Sequence, residues 1–231
     1  MNLAIIGYGK MGHLVEQLAP EYGFAVPLRL DIAENENGQG ITRERFRDID
    51  VAVDFSVPGA VLTDIERFSS VGVNAVIGTT GWTEEMDRAK AAVEKGRIGL
   101  VWSPNFSIGV NIFSRLVSEA SRQFAAYKEY GAWAWEIHHA AKKDAPSGTL
   151  LKLVEEMKRA DPKRHVDVSS SRAGAHPGTH EIGFDSAADT ITLRHTARSR
   201  EGFARGALTA AKWVIGKKGW FEFSNILFDG Q

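Results

Sequence analysis

Apolar and polar positions alternate along this chain in two distinct rhythms. Leu3-Ala-Ile-Ile6 is a short apolar run of the kind that forms a strand buried on both faces. Met11, Leu14, Val15 and Leu18 follow at the spacing of one helix face. A second apolar run covers Phe24 to Leu30. Val51 to Ser56 predicts a strand with a polar end, and Pro58 opens the next helix. Asn74 to Gly78 and Gly99 to Trp102 predict two further strands, the latter stopped by Pro104. Thr83 is expected to cap the helix between them, with Glu84 and Glu85 in its first turn. Between Asp31 and Asp54 the segment Glu34 to Arg47 has room for little more than a loop and a turn, and Arg43 to Asp48 reads as a solvated helical turn. Strand and helix in alternation imply a mostly parallel sheet covered on both faces.

Beyond Asn105 the rhythm changes. Ile108, Ile112, Phe113, Leu116, Val117, Ala120 and Phe124 mark one long amphipathic helix. Trp133, Trp135 and Ile137 alternate with Ala134, Glu136 and His138, a strand with His138 on the face opposite the tryptophans. A helix near 148–158 and strands near 166–172, 179–184 and 190–196 come next. No helix separates those last strands, so antiparallel hairpins are expected. Phe203, Ala207, Leu208, Ala211 and Ile215 give a final helix, and Trp220 to Phe228 a short apolar tail. This second part is an α+β module.

The first strand runs directly into Gly7, Tyr8, Gly9, Lys10, Met11 and Gly12, a G-x-G-x-x-G turn that opens a helix. Strand, turn and helix in that order form the dinucleotide fingerprint. Gly7 serves the tight turn, Gly9 the approach of a pyrophosphate, and Gly12 the packing of helix on strand. Asp31 ends the second apolar run at the distance expected of the acid that holds a ribose. Ligands of such sheets bind beyond the C-terminal strand ends, where Phe55, Ser56, Gly78, Thr79, Thr80, Ser103 and Asn105 fall; ordinary turn chemistry explains any one of them equally well.

The run from Trp133 to Thr149 places His138, His139, Lys142 and Lys143 ahead of a helix start. Pro146 suits a first helical turn, and Ser147, Gly148 and Thr149 are expected to offer free N–H groups and the positive end of a helix dipole. Such an arrangement suits a small, multiply anionic substrate that needs a proton; a basic surface loop is the plainer alternative. Lys143 is read as a solvated neighbour.

Composition narrows the classes. The chain has 231 residues and a formal net charge of −1, which points to no nucleic-acid or membrane partner, and it has no cysteine, which excludes disulfides, thiolate nucleophiles and Cys-based metal sites. No stretch is long enough to cross a bilayer, and Met1 stands just before the first strand, so no leader is expected and a cytoplasmic location is. His176 and His180 are four apart, but Pro177 and Gly178 stop the helix that a zinc pair would use, so no metal is expected. Asp50 and Asp54 read as turn and cap residues rather than an acid pair.

Taken in order, these segments resemble the 4-hydroxy-tetrahydrodipicolinate reductase (dihydrodipicolinate reductase) family over nearly the whole chain. The resemblance rests on the Gly7–Gly12 turn, Asp54-Phe-Ser56, Gly78-Thr-Thr-Gly81 and Ser103-Pro-Asn-Phe-Ser-Ile-Gly109. More specific are Glu136-Ile-His-His139 with Lys142 and Asp144-Ala-Pro-Ser-Gly-Thr149, then Arg172-Ala-Gly174, Gly178-Thr-His180 and His195 to Arg200. It implies an α/β fold, with an N-terminal Rossmann-type dinucleotide-binding domain over 1–105 and 201–231. An α+β substrate-binding and oligomerisation domain with a mixed sheet would span 106–200. It also implies NAD(P)H-dependent reduction of a cyclic imine dicarboxylate in the diaminopimelate route to lysine, and a homotetramer built through the sheet of the second domain. Proton transfer would fall to His138 and Lys142. His139, Gly148 and Thr149 would bind substrate, with Arg200 a further carboxylate ligand, and Pro104 and Phe106 would join the cofactor residues. His138 is the better donor near neutrality, with an unperturbed pKa of about 6.5. Lys142 would need a lowered pKa or would serve as a fixed charge.

Ile32 follows Asp31 where many family members carry an Arg suited to a 2′-phosphate. NADH is therefore expected over NADPH, although Lys10, Arg29 and Arg43 could offset the repulsion. Two other readings are another nicotinamide-dependent dehydrogenase of an amino-acid precursor, which leaves the His-His…Lys…Pro-Ser-Gly-Thr run unexplained, and a non-catalytic NAD(H) sensor, for which no output module is visible.

Overall fold

The structure, a computed structural model, describes residues 1–228; positions 229–231, which the expected first domain includes, lie outside the described residues. The chain forms two compact units, one of Met1–Ile108 with the chain from Glu201 onward, the other of Gly109–Arg200.

The first unit is an α/β unit with a six-stranded parallel sheet. Its strands are β1 (Asn2–Ile6), β2 (Ala25–Leu30), β3 (Val51–Asp54), β4 (Asn74–Ile77), β5 (Gly99–Trp102) and β10 (Gly219–Glu222), in the order β10-β5-β4-β3-β1-β2. Four of its helices are α1 (Lys10–Leu18), α2 (Val61–Val71), α3 (Met86–Gly96) and α6 (Glu201–Val214). Successive strand residues face opposite layers. Leu3, Ile5, Val51 and Val53 pack with Val15 of α1 and Ala207, Leu208 and Ala211 of α6. Ala4, Ile6 and Ala52 pack with Ile65 and Phe68 of α2 and Val93 of α3. A strand buried on both faces has no reason to alternate, which is why these strands read as continuous apolar runs. The apolar tail is more than a tail: Trp220 to Glu222 pair with β5, and Phe223–Ile226 form the short helix α7, whose Phe223 is fully buried. Thr83 caps nothing. It begins a single 3-10 turn, and α3 starts at Met86 without a side-chain cap.

The second unit is α+β. Its strands β6 (Gly131–His138), β7 (Val166–Arg172), β8 (Thr179–Asp185) and β9 (Thr190–Thr196) lie in the order β7-β6-β8-β9. Helices α4 (Ile108–Phe124) and α5 (Gly148–Ala160) share one core with this sheet, made of Phe113, Val117, Ala132, Ala134, Leu150, Leu153 and Ile182. β8 pairs antiparallel with β6 and β9, but β7 runs parallel to β6 and makes no hairpin with β8. The reason is α5: a helix between β6 and β7 supplies the crossover that parallel neighbours need. The sheet is therefore mixed. On its other face Trp133 and Trp135 are half-buried, and Trp133 lies flat on Gly183, where a Cβ would come within 2.1 Å of the indole. On α4, Phe113 and Val117 are buried while Ile112 and Leu116 remain exposed, so half of its apolar stripe lies outside this core.

Candidate active site

In the first unit the strand order reverses direction between β1 and β3, the switch point at which open α/β sheets take ligands. The glycine turn sits there. Gly7 has φ +82°, and a Cβ on it would meet the Phe55 carbonyl oxygen at 2.4 Å; one on Gly12 would meet the Gly7 carbonyl oxygen at the same distance. A Cβ on Gly9, the residue before α1, would have nothing within 4 Å. Gly7 and Gly12 are thus fixed by the fold, whereas Gly9 stands beside open space at a helix N-terminus, the place that favours an anion.

A cavity of about 350 Å³ opens here, lined among others by Gly7, Gly9, Asp31, Asn35, Phe55 and Asp64. Asp31 Oδ1 accepts the Tyr8 N–H at 3.2 Å, which aims an exposed carboxylate from the end of β2. Arg29 is occupied: its Nε donates to Glu16 Oε1 at 2.7 Å, and its Nη2 pairs with the same oxygen. The other strand-end candidates spread around this cavity rather than lining it. Gly78 lies beneath the Phe55 ring, and buried Thr79 donates to Asp54 Oδ1 at 3.2 Å, while Thr80, Lys10 and Pro104 are exposed. Ser103 and Asn105 hold their own turn, Ser103 Oγ donating to the Asn105 carbonyl at 2.8 Å. Met11 and Phe106 pack toward the core, Phe106 against Phe223 at 4.8 Å between ring centres. Asp50 Oδ2 accepts the Asn2 N–H at 2.6 Å, and Asp54 serves the turn after β3, its Oδ1 accepting the Ser56 N–H at 2.8 Å. Asp54 is wholly buried at the end of β3, beside the equally buried carboxyl of Asp64 on α2.

In the second unit the period-2 pattern of β6 turns Glu136 and His138 to the helix-covered face, away from the tryptophans. Glu136 is fully buried and heavily solvated by protein. It accepts the Ser147 N–H at 2.7 Å and the Ser147 hydroxyl, the Ser170 hydroxyl at 3.1 Å, and Arg172 Nη2 at 2.9 Å. Burial alone would push its carboxyl up; the Ser147 and Arg172 bonds overcome that and hold it below its ordinary value. Two imidazoles face the same oxygen, His180 Nε2 at 3.3 Å and His138 Nδ1 at 3.4 Å. Burial lowers the pKa of His138; Glu136 opposes this, and the charges of Lys142 and Arg172 add to it. Burial and the neighbouring His138 take His180 down to about 4.

Lys142 Nζ donates to Asp144 Oδ1 at 2.6 Å, in the loop that leads to α5. That loop corrects two expectations. Pro146 lies outside α5, one residue before its N-cap Ser147, whose Oγ accepts the Leu150 N–H at 3.2 Å. The Ser147 N–H is not free, since Glu136 takes it. Gly148 and Thr149 do open the helix, and a Cβ on Gly148 would face open space. His139 is half-buried, and Lys143 and Arg200 are exposed. Glu136, His138 and His180 place potential ligand atoms within 4.8 Å of one another, yet the Arg172 guanidinium on the same carboxylate opposes a metal cation there.

Residues 1–106 match the family described as dihydrodipicolinate reductase, N-terminus, and residues 109–227 its C-terminus. The chain belongs to the dihydrodipicolinate reductase family. It is 34% identical to the 4-hydroxy-tetrahydrodipicolinate reductase of Archaeoglobus fulgidus over 98% of this chain and 100% of that one. To the enzyme of that name from Christiangramia forsetii it is 32% identical over 99% and 98%. Among solved structures, a dipicolinate-bound dihydrodipicolinate reductase from Paenisporosarcina sp. TG-14 shares the fold, with TM-score 0.80 and 22% identity over 98% of this chain and 99% of that one.

Membership in this reductase family, together with the Rossmann-type sheet, implies a nicotinamide cofactor. The first unit fits one: the open space at Gly9, the helix start behind it and the aimed Asp31 carboxylate are features such a ligand uses. Sequence reasoning missed the groups gathered beside His138. Glu136, Ser147, Arg172 and His180 lie on four separate elements or their edges and meet only after folding. The one signal available was an acid two residues before His138 on the same strand face. Among the described residues no helix is long and apolar enough to cross a membrane.

Proposed function

We propose that the chain reduces 4-hydroxy-tetrahydrodipicolinate to tetrahydrodipicolinate with a nicotinamide cofactor, with loss of water, in the diaminopimelate route to lysine. The observation that carries this reading is the buried Glu136 cluster. A folded chain accepts a fully buried carboxylate among Ser147, Ser170, Arg172 and two imidazoles only at considerable desolvation cost, and here that carboxylate stands 3.4 Å from His138 Nδ1. The first unit binds the cofactor through Gly7 to Gly12, Asp31 and the strand-end residues. The cofactor, when bound, supplies a hydride. His138 and Lys142 then provide the proton that the reduced ring requires, and His139, Thr149, the N–H groups at Gly148 and the Arg200 guanidinium take the substrate's carboxylates. A small dicarboxylate fits this set of donors, as the dipicolinate-bound relative suggests.

NADH is the preferred cofactor in this reading, since Asp31 is a carboxylate where a 2′-phosphate would sit and Arg29 is already neutralised by Glu16. The half-buried tryptophan face of the β6 sheet supports a homotetramer, and the composition a cytoplasmic location. The test is a coupled assay with freshly generated substrate that follows loss of NADH absorbance, with pyridine-2,6-dicarboxylate as inhibitor. NADH oxidation that did not depend on the substrate would overturn the assignment.

A further inference from the structure

The acid pair behind the nucleotide cavity has no part in the chemistry described so far. Asp54 and Asp64 are both 0% exposed, on β3 and α2. Each spends one oxygen on neutral donors. Asp54 Oδ1 accepts the Ser56 N–H at 2.8 Å and the Thr79 hydroxyl at 3.2 Å, and Asp64 Oδ1 accepts Asn35 Nδ2 at 2.8 Å. Asp54 Oδ2 and Asp64 Oδ2 are buried and receive no other group's N–H or O–H, while the two carboxyls lie within hydrogen-bond reach of one another. Two adjacent buried carboxylates cannot both stay ionised at modest cost, and a proton between them removes the conflict.

The donors on this pair come from the loops that shape the cavity. Asn35 follows β2 and lines the cavity beside Asp64; its own Oδ1 accepts the Gly40 N–H at 3.2 Å and so fixes the loop. Ser56 follows β3 and also lines it, and Thr79 follows β4. The charged group acting on Asp64 is Asp54, from β3, with Asn35 from the loop after β2; Asp54 is faced by Ser56, Thr79 and Asp64. The two further acids at the cavity, Asp31 and Glu36, are exposed.

We propose that Asp54 and Asp64 share one proton and act as a positioning pair for the cofactor cavity, tying the Asn35 loop to the ends of β3 and β4, so that NADH affinity depends on that proton. This rests on the reading of the first unit as the nicotinamide site. Burial, then the charge of Asp54, pushes Asp64 up to about 7, so the pair is singly protonated in mild acid and loses its proton in mild alkali. Loss of the proton sets two buried anions against each other and releases the Asn35 tether. NADH, itself an anion, binds the protonated form better, and binding weakens as pH rises through the pair's value.

The experiment is the Kd of NADH by fluorescence between about pH 6 and about pH 8.5 at one ionic strength, for the full chain and for Asp64→Asn. Affinity of the unaltered chain should fall about tenfold across that range, one pKa unit being worth a factor of ten. Asp64→Asn, whose amide donates to Asp54 without a titrating proton, should hold its affinity nearly constant. An unaltered chain whose Kd ignored pH, or an Asp64→Asn chain with the same slope, would overturn the proposal alone. NADH that bound at no pH would overturn the nucleotide reading and this proposal with it. Should Asp64→Asn not fold, the infrared carbonyl band of a buried un-ionised carboxylic acid serves on the unaltered chain. It should be present near pH 6 and fade in step with NADH affinity, and its absence there counts against the shared proton.

Discussion

The two units build their candidate sites from opposite materials. Around Gly7 to Gly12 the parallel-sheet unit offers mainly backbone and absent side chains, with the exposed acid Asp31 beside them, so its site is mainly shape and helix dipole. Around Glu136 the mixed-sheet unit offers buried ionisable groups: a fully desolvated carboxylate, a guanidinium, two imidazoles and a nearby lysine. Holding a ligand needs space and a few aimed N–H groups, whereas moving a proton needs groups whose protonation the protein controls. The contrast therefore separates binding from chemistry, and substitutions in each unit should show which of the two is lost.

The largest effect is expected at His138. His138→Gln and Lys142→Ala should each lower kcat by about 10²–10⁴-fold, the usual weight of general acid–base catalysis, with NADH affinity nearly unchanged. A loss below tenfold in both variants would remove these residues from the proton transfer. Next comes Glu136, whose replacement leaves Arg172 without its partner; breaking a buried ion pair on one side costs about 3–5 kcal/mol. Glu136→Gln should lower the melting temperature markedly. It should also move the pH profile of kcat/KM, because Glu136 is the anion that opposes the lowering of His138. Without it the His138 pKa falls further, so the alkaline loss of activity should begin at lower pH than in the unaltered chain. A profile that stayed in place while stability fell would make Glu136 a purely structural anchor.

How far the sequence spoke differs between the units for a physical reason. In the first, strands buried on both faces appear as unbroken apolar runs, and the glycine turn is a local signal read over a few residues. Even there β10 escaped, since Gly219–Glu222 is a half-buried edge strand too short to stand out from an apolar tail. In the second, the strand periods were legible but the pairing was not. Whether β7 joins β6 or β8 depends on α5 packing on the sheet through Leu150 and Leu153, a non-local matter. Glu136 with Arg172 and His180, like Asp54 with Asp64, comes from residues 10 to 44 positions apart that share no motif spacing. Such clusters are products of the fold, and only His138 and Lys142 carried a pattern of their own.

A sharper form of the contrast lies inside the glycine turn. Gly12→Ala puts a methyl 2.4 Å from the Gly7 carbonyl oxygen, a backbone atom with little freedom to move, and should destabilise the chain by about 1–3 kcal/mol, the usual cost of overpacking. Gly9→Ala meets nothing within 4 Å and should leave the melting temperature within a degree or two, yet weaken NADH binding through the space it takes from the phosphates. Thermal melts and NADH titrations of both variants check this. Equal losses of stability would mean that Gly9 also serves the fold, and the site would no longer be separable from its scaffold.

The smallest expected effect concerns which cofactor the shape-built site prefers. Asp31 projects an exposed carboxylate held by the Tyr8 N–H, and a 2′-phosphate there would meet like charge. The cation best placed to compensate, Arg29, already carries Glu16 on both its Nε and Nη2. Lys10 and Arg43 are exposed and solvated, so their help should fade with salt. kcat/KM should therefore favour NADH over NADPH by about tenfold, close to 1.4 kcal/mol. Asp31→Asn should reduce that ratio toward unity by improving NADPH rather than by harming the chemical step. A tenfold bias toward NADPH in the unaltered chain would mean that Arg29 leaves Glu16 when the 2′-phosphate arrives. Glu16→Gln, which frees Arg29 in advance, would then strengthen that bias, and the arginine would be the element that reads the cofactor.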